Sequence, residues 1–217
     1  MSRKTSEASS NGRTADFGSA HEGSNPSASA SSSKAANFRA DVKPLGRPGQ
    51  VVLVGLGEVK ARVLAEVGAA LREVLALPAK AGPSLDRPDY AFNKDRRQYH
   101  APAIVRRLST LRPSADGAPV VGIVDADLFV PDAPYVIGDA DRDAGAAVFS
   151  ITRLASPEPK VVRRRAQVEA VHGAGHLLGL SHCLDYRCAM FLSKDATDSD
   201  RKGPGLCPSC RSALGLP

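Results

Sequence analysis

The chain has 217 residues, of which 42% are hydrophobic, 24% charged and 5% aromatic. This length fits one domain with room for a small additional module, and the hydrophobic share is typical of a chain that folds around a core. No apolar run reaches the roughly 20 residues that a membrane-spanning helix needs, which excludes an integral membrane protein. The net charge of +6 permits weak binding to nucleic acid or anionic lipid but does not require it.

Residues 1–45 are predicted to be a flexible tail. They are rich in Ser, Ala, Gly and Asn, and the stretch SNPSASASSS at 24–33 cannot bury enough apolar surface to offset the entropy lost on ordering. The tail contains no hydrophobic block of the kind found in a secretory signal peptide. The predicted location is therefore the cytoplasm.

The middle of the chain, residues 46–182, alternates apolar strands with amphipathic helices. The predicted elements are a strand at 50–57, a helix at 59–75, a loop at 79–89, a helix at 96–111, strands at 119–125 and 146–154, an edge strand at 135–138 and a helix at 160–178. This order predicts an α/β fold. Periodicity ends after Gly179, and residues 183–217 are predicted to be a small irregular module.

Three of the five histidines fall within eleven residues, at His172, His176 and His182. Residues four apart share one face of a helix, so the first two can present their imidazoles to one ion. Gly179 can adopt the left-handed conformation that ends a helix, which allows His182 to return to the same ion. Three neutral imidazoles with an open fourth position are the ligand set of a catalytic zinc.

All four cysteines lie in the last 35 residues, at Cys183, Cys188, Cys207 and Cys210. Without a sign of export, such a cluster favours metal ligands over disulfides. Four thiolates around one zinc form a closed structural site, which supplies folding energy to a segment with little apolar core of its own. The sequence therefore predicts two Zn²⁺ ions, one of catalytic type and one structural.

The combined pattern resembles that of the archaemetzincins, a branch of the metzincin zinc peptidases. Their HExxHxxGxxH motif is followed directly by a cysteine, then by CxM and a distant CxxC. The matching residues are His172, His176, Gly179, His182, Cys183, Cys188, Met190, Cys207 and Cys210. The resemblance covers about residues 50–210 and places Met190 in the Met-turn beneath the catalytic metal. It implies a zincin-like mixed sheet with helices, a zinc-stapled C-terminal subdomain, and zinc-dependent cleavage of a peptide or protein substrate.

One position departs from the family pattern. Gly173 stands where the resemblance places the glutamate that acts as general base, and loss of a positioned base costs a factor of about 10² to 10⁴ in rate. Glu169 is a candidate substitute one turn earlier, but helical side chains lean toward the N-terminus and carry it away from the metal. Asp185, near the third histidine, is a more remote candidate.

Four interpretations remain open at this stage. The chain is a peptidase with impaired activity, a non-catalytic zinc protein that binds peptides, or a peptidase whose sequence carries an error at one codon. In the fourth interpretation the cysteine module binds nucleic acid, and this leaves the three histidines unexplained. The sequence favours a peptide or protein over nucleic acid or a membrane as the partner.

Overall fold

Eight strands and five α-helices make up the part of the chain that the computed structural model describes, residues 47–112 and 117–217. The strands are β1 (Val51–Leu56), β2 (Ala79–Leu85), β3 (Phe92–Asn93), β4 (Gln98–His100), β5 (Val120–Val124), β6 (Leu128–Phe129), β7 (Gly138–Asp141) and β8 (Ala146–Ser150). The helices are α1 (Ala61–Leu75), α2 (Ala101–Ser109), α3 (Pro159–Leu177), α4 (Ala196–Arg201) and α5 (Pro208–Ala213). The predicted tail, residues 1–45, lies outside the described residues.

The larger of two sheets has five strands in the order β2-β1-β5-β8-β7. The first four run parallel, and β7 pairs antiparallel with β8 at the edge. The smaller sheet joins β3, β4 and β6. The mixed α/β architecture predicted from the sequence is confirmed. None of the helices within the described residues is long and apolar enough to cross a membrane.

Alternate residues of the central strands pack into two different cores. Leu53 and Val121 pack with α1 and α3 on one face, whereas Val54 and Val120 pack with α2 on the other. Because helices cover both faces, β5 and β8 are buried along their whole length. This explains why both strands appear in the sequence as short continuous apolar runs.

Three predicted elements differ from the structure. Residues 79–89, predicted as a loop, contain β2, whose polar sequence AKAGPSL suits an edge strand with little burial. The second helix begins at Ala101 because Pro102 lies in its first turn, and β3 and β4 form an antiparallel pair just before it. The edge strand predicted at 135–138 is β7, three residues later, where the polar residues of Gly138–Asp141 concealed it.

The segment after α3, predicted without regular structure, forms turns and two short helices. Helix α4 begins after Asp195, whose carboxylate accepts hydrogen bonds from the N–H groups of Thr197 and Asp198. Helix α5 begins after Cys207, whose sulfur accepts from the N–H of Cys210. Each helix has six residues, which is too short to show a helical period in the sequence.

Candidate metal centre and cleft

Helix α3 carries the first two histidines of the candidate site. Its inner face consists of small residues, and Ala166, Ala170 and Ala174 pack against Ala147 and Phe149 of β8. Small side chains bring the helix close to the sheet. The short loop after Ser150 and the prolines that follow it set the start of the helix, with Pro159 in the first turn.

Met190, in the segment after Cys188, packs closely against α3. A Cβ atom at Gly175 would lie 2.4 Å from Sδ of Met190, so any other residue at this position would force Met190 to move. Met190 is fully buried and packs with Leu180 and Cys188. This location is compatible with the Met-turn predicted for Met190, which stays a prediction.

The side chains of His172, His176 and His182 converge on the floor of a cleft. One ring nitrogen from each lies within 4.8 Å of the others, and the Nε2 atoms of His172 and His176 are 3.0 Å apart. Gly179 takes a φ of 95° where the helix ends. This left-handed turn brings His182 back to the other two, as the spacing predicts.

Hydrogen bonds decide which nitrogen of each helical histidine faces the cluster. Nδ1 of His172 donates to the carbonyl oxygen of Ala189, and Nδ1 of His176 donates to that of Leu180, both at 2.8 Å. A carbonyl oxygen only accepts, so the proton of each neutral ring lies on Nδ1 and the lone pair on Nε2. Two lone pairs that face each other at 3.0 Å repel unless a cation lies between them.

Burial keeps the three imidazoles in the neutral form that a metal requires. Loss of hydration, with a smaller contribution from the neighbouring His176, lowers the pKa of His172 to about 3. The same cause, burial, lowers the pKa of His176 and that of His182. Three neutral nitrogen donors with oriented rings fit a zinc ion that keeps a fourth position open.

Gly173 lies in the cleft beside the histidines, and the structure leaves room there for a longer side chain. A Cβ atom at Gly173 would meet only the Cβ of Ala147 within 4 Å, at an ordinary contact distance of 3.5 Å. The glycine is therefore not required by packing. In this respect it differs from Gly175, two residues further along the same helix.

Glu169, the predicted substitute for the missing base, also lies in the cleft wall but is engaged elsewhere. Its Oε1 atom accepts hydrogen bonds from Ser199 Oγ at 2.6 Å and Ser193 Oγ at 2.8 Å, and lies 3.6 Å from Nζ of Lys202. The carboxylate serves to dock the C-terminal segment on α3. A catalytic role for Glu169 stays a prediction without support from this geometry. Asp185 is absent from the described residues that line the cleft.

Lys202 is a site residue that sequence analysis missed. It is fully buried, and its Nζ donates to the carbonyl oxygens of Phe191 at 2.7 Å and Ala189 at 3.2 Å. Burial lowers the pKa of its ammonium group, and Glu169 opposes that shift. The Ala189 carbonyl thus accepts from Lys202 and His172 together. The sequence gives no sign that this lysine is buried, because lysines in polar segments are normally exposed.

The four cysteine sulfurs form a second cluster, with all Sγ atoms within 4.8 Å of one another. Cys183 and Cys207 are 3.7 Å apart at sulfur, and all four thiols are free. A zinc tetrahedron with bonds of ~2.3 Å has edges of ~3.8 Å, whereas a disulfide needs ~2.05 Å. The N–H groups of Cys207 and Asp185 donate to the sulfurs of Cys188 and Cys183, which favours thiolates. The donor set fits a closed metal site.

The two clusters are built on the same short segments of chain. His182 and Cys183 are adjacent, and the N–H of Cys183 donates to the Met190 carbonyl at 2.9 Å. On the other segment, Cys188 belongs to the sulfur cluster while the next residue, Ala189, orients His172. A displacement of either segment therefore reaches both clusters.

The cleft above the histidines has a volume of about 700 Å³, with edge strand β7 along one wall. Residues 133–137 form its upper rim, which charged side chains hold in place. Arg153 donates two hydrogen bonds of 2.5 Å to Asp127, and its guanidinium lies 3.7 Å from the ring centre of Tyr135. Arg96 donates to the carbonyl of Ala133 at 2.6 Å. The rim is thus fixed before a ligand enters.

Comparison with known sequences gives a consistent result. The model of Peptidase family M54 matches residues 57–215. An archaemetzincin from Methanopyrus kandleri is 35% identical over 127 residues, which cover 58% of this chain and 71% of that protein. One from Aeropyrum pernix is 31% identical over 179 residues, which cover 80% of this chain and 91% of that protein.

Solved structures show the same similarity. The crystal structure of the archaemetzincin from Methanopyrus kandleri matches with a TM-score of 0.69 at 28% identity, covering 78% of this chain and 96% of that one. The archaemetzincin from Archaeoglobus fulgidus, crystallised with malonate, matches with a TM-score of 0.67 at 28% identity, covering 75% and 99%. A zinc-dependent peptidase from Methanocorpusculum labreanum matches at 0.66 and 25% identity, covering 75% and 99%.

Proposed function

Because the chain belongs to Peptidase family M54, the archaemetzincin family of zinc metallopeptidases, we propose that it hydrolyses peptide bonds at a zinc held by His172, His176 and His182. The observation that carries this proposal is the convergence of three neutral imidazoles on the cleft floor. Zinc bound there supplies a water of lowered pKa and polarises the carbonyl to be cleaved. The backbone carbonyls of Ala189 and Leu180 hold two of the rings in the ligating orientation.

The shape of the cleft supports a peptide or protein as substrate. Strand β7 is an edge of the larger sheet, bound to β8 on one side only. An extended peptide can add to such an edge through main-chain hydrogen bonds, with its side chains in the cleft. The proposed role of β7 is to hold the substrate over the histidines.

The second candidate function is a zinc protein that binds peptides without cleaving them. Two observations favour it: Gly173 has no side chain, and Glu169 is bound by two serines and Lys202. For the first candidate function, the same two observations lead us to propose slow cleavage. Peptide turnover should be lower by a factor of about 10² to 10⁴ than in a peptidase with a positioned carboxylate. Zinc binding itself does not depend on that carboxylate.

We further propose that Cys183, Cys188, Cys207 and Cys210 hold a second, structural zinc, which gives two ions per chain. The spacing of the four free sulfurs supports this assignment. A structural zinc at the cysteines accords with the division predicted from the sequence, into a catalytic part, residues 46–182, and a zinc module, residues 183–217. It also supports a cytoplasmic location, since thiols stay available to zinc where they are kept reduced.

Substitution of Gly173 tests the proposed activity. We expect Gly173→Glu to raise peptide turnover by about 10² or more, because the carboxylate restores a general base beside the first ligand. Zinc content should stay the same, because the position admits a Cβ atom at an ordinary contact distance and faces the cleft. The measurement is cleavage of a quenched fluorescent peptide library, with metal analysis of each sample.

Gly173→Gln is the matched control, because it has nearly the same size and cannot act as a base. If Gly173→Glu cleaves no peptide faster than the native chain while both carry zinc, the binding function is correct and the peptidase proposal is wrong. If the native chain already cleaves rapidly, another group is the base, and Glu169→Gln is the first variant to test.

A further inference from the structure

Arg142 places a positive charge without an ion-pair partner among the described residues in the wall of the cleft. It follows β7 in the turn to β8, and its guanidinium covers the turn that ends α3. A Cβ atom at Gly179 would lie 3.1 Å from Cζ of Arg142 and 3.3 Å from each Nη atom. Gly179 lies between His176 and His182 in the chain. The cation therefore stands at the edge of the histidine cluster.

Among the described residues, no carboxylate pairs with Arg142. Its Nε atom is buried and has no hydrogen-bond partner, and Arg142 is absent from the ion pairs of the described chain. Other partly buried arginines behave differently, since Arg153 and Arg165 each donate two hydrogen bonds to one carboxylate. A buried polar group without a partner is costly, and a ligand that pairs with it gains that energy.

The dipole of α3 favours a cation where Arg142 lies but gives its guanidinium no hydrogen-bond partner. A cation near a helix C-terminus is stabilised by the helix dipole and can donate to the last carbonyl groups. The last carbonyls of α3 have other donors: the N–H groups of Leu178, Gly179 and Leu180 bind the carbonyls of Ala174, His176 and Gly175. The guanidinium of Arg142 lies against the turn at Gly179, and its Nε has no hydrogen-bond partner in the described part of the chain.

The other charges that line the cleft leave it positive on the side of α3. The negative charge of Glu169 is balanced by Lys202, and Gly173 contributes no carboxylate. Lys194 adds a second cation to the lining. Asp139 also lines the cleft, but it pairs in register with Val148, which packs into the core with α2, so its side chain points to that face of the sheet.

We propose that Arg142 selects peptides that present a carboxylate to the cleft next to the histidines. A guanidinium binds a carboxylate through two parallel hydrogen bonds, a geometry that fits this group better than a neutral amide. The carboxylate is that of an acidic side chain or of the peptide C-terminus. The inference rests on the proposed peptide-binding function of the cleft and names the class of substrate.

Peptide binding to the zinc-loaded full chain tests the inference. Fluorescent peptides are compared in pairs that differ by Glu against Gln at one position, or by a free against an amidated C-terminus. We expect one member of one such pair to bind about tenfold more tightly than its neutral partner, the usual effect of a charge-assisted hydrogen bond. The position of that pair identifies which carboxylate Arg142 binds.

Three variants then assign the preference. Arg142→Gln should remove the preference for the carboxylate peptide. Arg142→Lys should retain part of this preference, because lysine keeps the charge but loses the geometry of two parallel hydrogen bonds. Arg106→Gln should leave the preference unchanged. Arg106 is exposed on α2 and does not line the cleft, so it matches the change in net charge. Thermal unfolding and zinc content show that each variant is folded and loaded, and Arg142→Lys carries the test if the glutamine variant is unstable.

Two results would overturn the inference. If peptides bind with no carboxylate preference, or with one that survives Arg142→Gln, Arg142 has no role in selection and the cleft remains a peptide site. If neither acidic nor neutral peptides bind or are cleaved, the inference and the proposed function fail together.

Discussion

Two glycines on α3 differ in what the structure demands of them. A side chain at Gly175 would displace Met190, whereas Gly173 faces the cleft, and a Cβ atom there would meet only Ala147 within 4 Å. Glycine inside a helix costs about 1 kcal/mol relative to alanine. At Gly175 the contact with Met190 explains that cost, and at Gly173 nothing in the packing does.

Alanine at the two positions should therefore have opposite effects. We expect Gly175→Ala to lower the free energy of unfolding by about 1–3 kcal/mol, because Met190 is fully buried and must shift to admit the new methyl group. Gly173→Ala should raise it by up to about 1 kcal/mol. Urea denaturation of the zinc-loaded proteins measures both. Equal effects from the two substitutions would contradict the distinction.

The histidines and cysteines of the site could be predicted from the sequence because few residue types bind zinc and their spacing is short. His172 and His176 are one helical turn apart, and the turn at Gly179 needs no long-range information. Lys202 and Arg142 could not be predicted. Their roles depend on which distant segments surround them, and a single lysine or arginine has the same sequence signal on any surface.

At the scale of elements, α3 and the segment that contains α4 are joined mainly by charged and polar groups. Arg165 donates two hydrogen bonds to Asp200, and Arg164 donates to carbonyl groups of residues 199–202. Glu169 and Lys202 form the buried part of this contact. The sequence shows no apolar stripe on α4, so its packing could not be predicted from hydrophobic periodicity.

Removal of one partner of the buried pair should be strongly destabilising. We expect Lys202→Met to lower the free energy of unfolding by about 3–5 kcal/mol, because Glu169 then keeps a buried charge without its cation. The double variant Lys202→Met with Glu169→Gln should lose less than the single one. The measurement is chemical denaturation at equal zinc content. A double variant whose loss equals the sum of the losses from Lys202→Met and Glu169→Gln would show that the pair is not coupled.

The elements that were predicted correctly are those with an apolar pattern of their own. Strands β5 and β8 and helix α3 have their own apolar signal, and the sequence located them within a few residues. Strand β2 and strand β7 lie at sheet edges, where one neighbour determines their structure and their own residues are polar. An edge strand of this kind is specified by its partner rather than by its sequence.

At the scale of the molecule, the two metal clusters should respond unequally to mutation. We expect two zinc ions in the native chain, and His176→Ala should remove about one of them while the cysteine cluster stays occupied. Cys207→Ser should lower the zinc content of both, because the segment from Cys188 to Met190 carries the carbonyl that orients His172. Metal analysis by mass spectrometry, with thermal unfolding, measures both effects.

Loss of only one zinc from Cys207→Ser, with unchanged affinity at the histidines, would show that the clusters are independent. Cys183→Ser serves as a second test on the other shared segment, next to His182. One zinc or none in the native chain would contradict the assignment of two sites.

The shared segments also set an order of events during synthesis. The ribosome completes His172, His176 and His182 about twenty-five residues before Cys207. Until that cysteine and Cys210 emerge, the sulfur cluster is incomplete, and the Ala189 carbonyl that orients His172 lies in a segment whose contacts with Lys202 and Gly205 form equally late. Nascent chains should therefore lack a formed histidine pocket, and we expect the proposed zinc site at the histidines to form only after the cysteine cluster is complete.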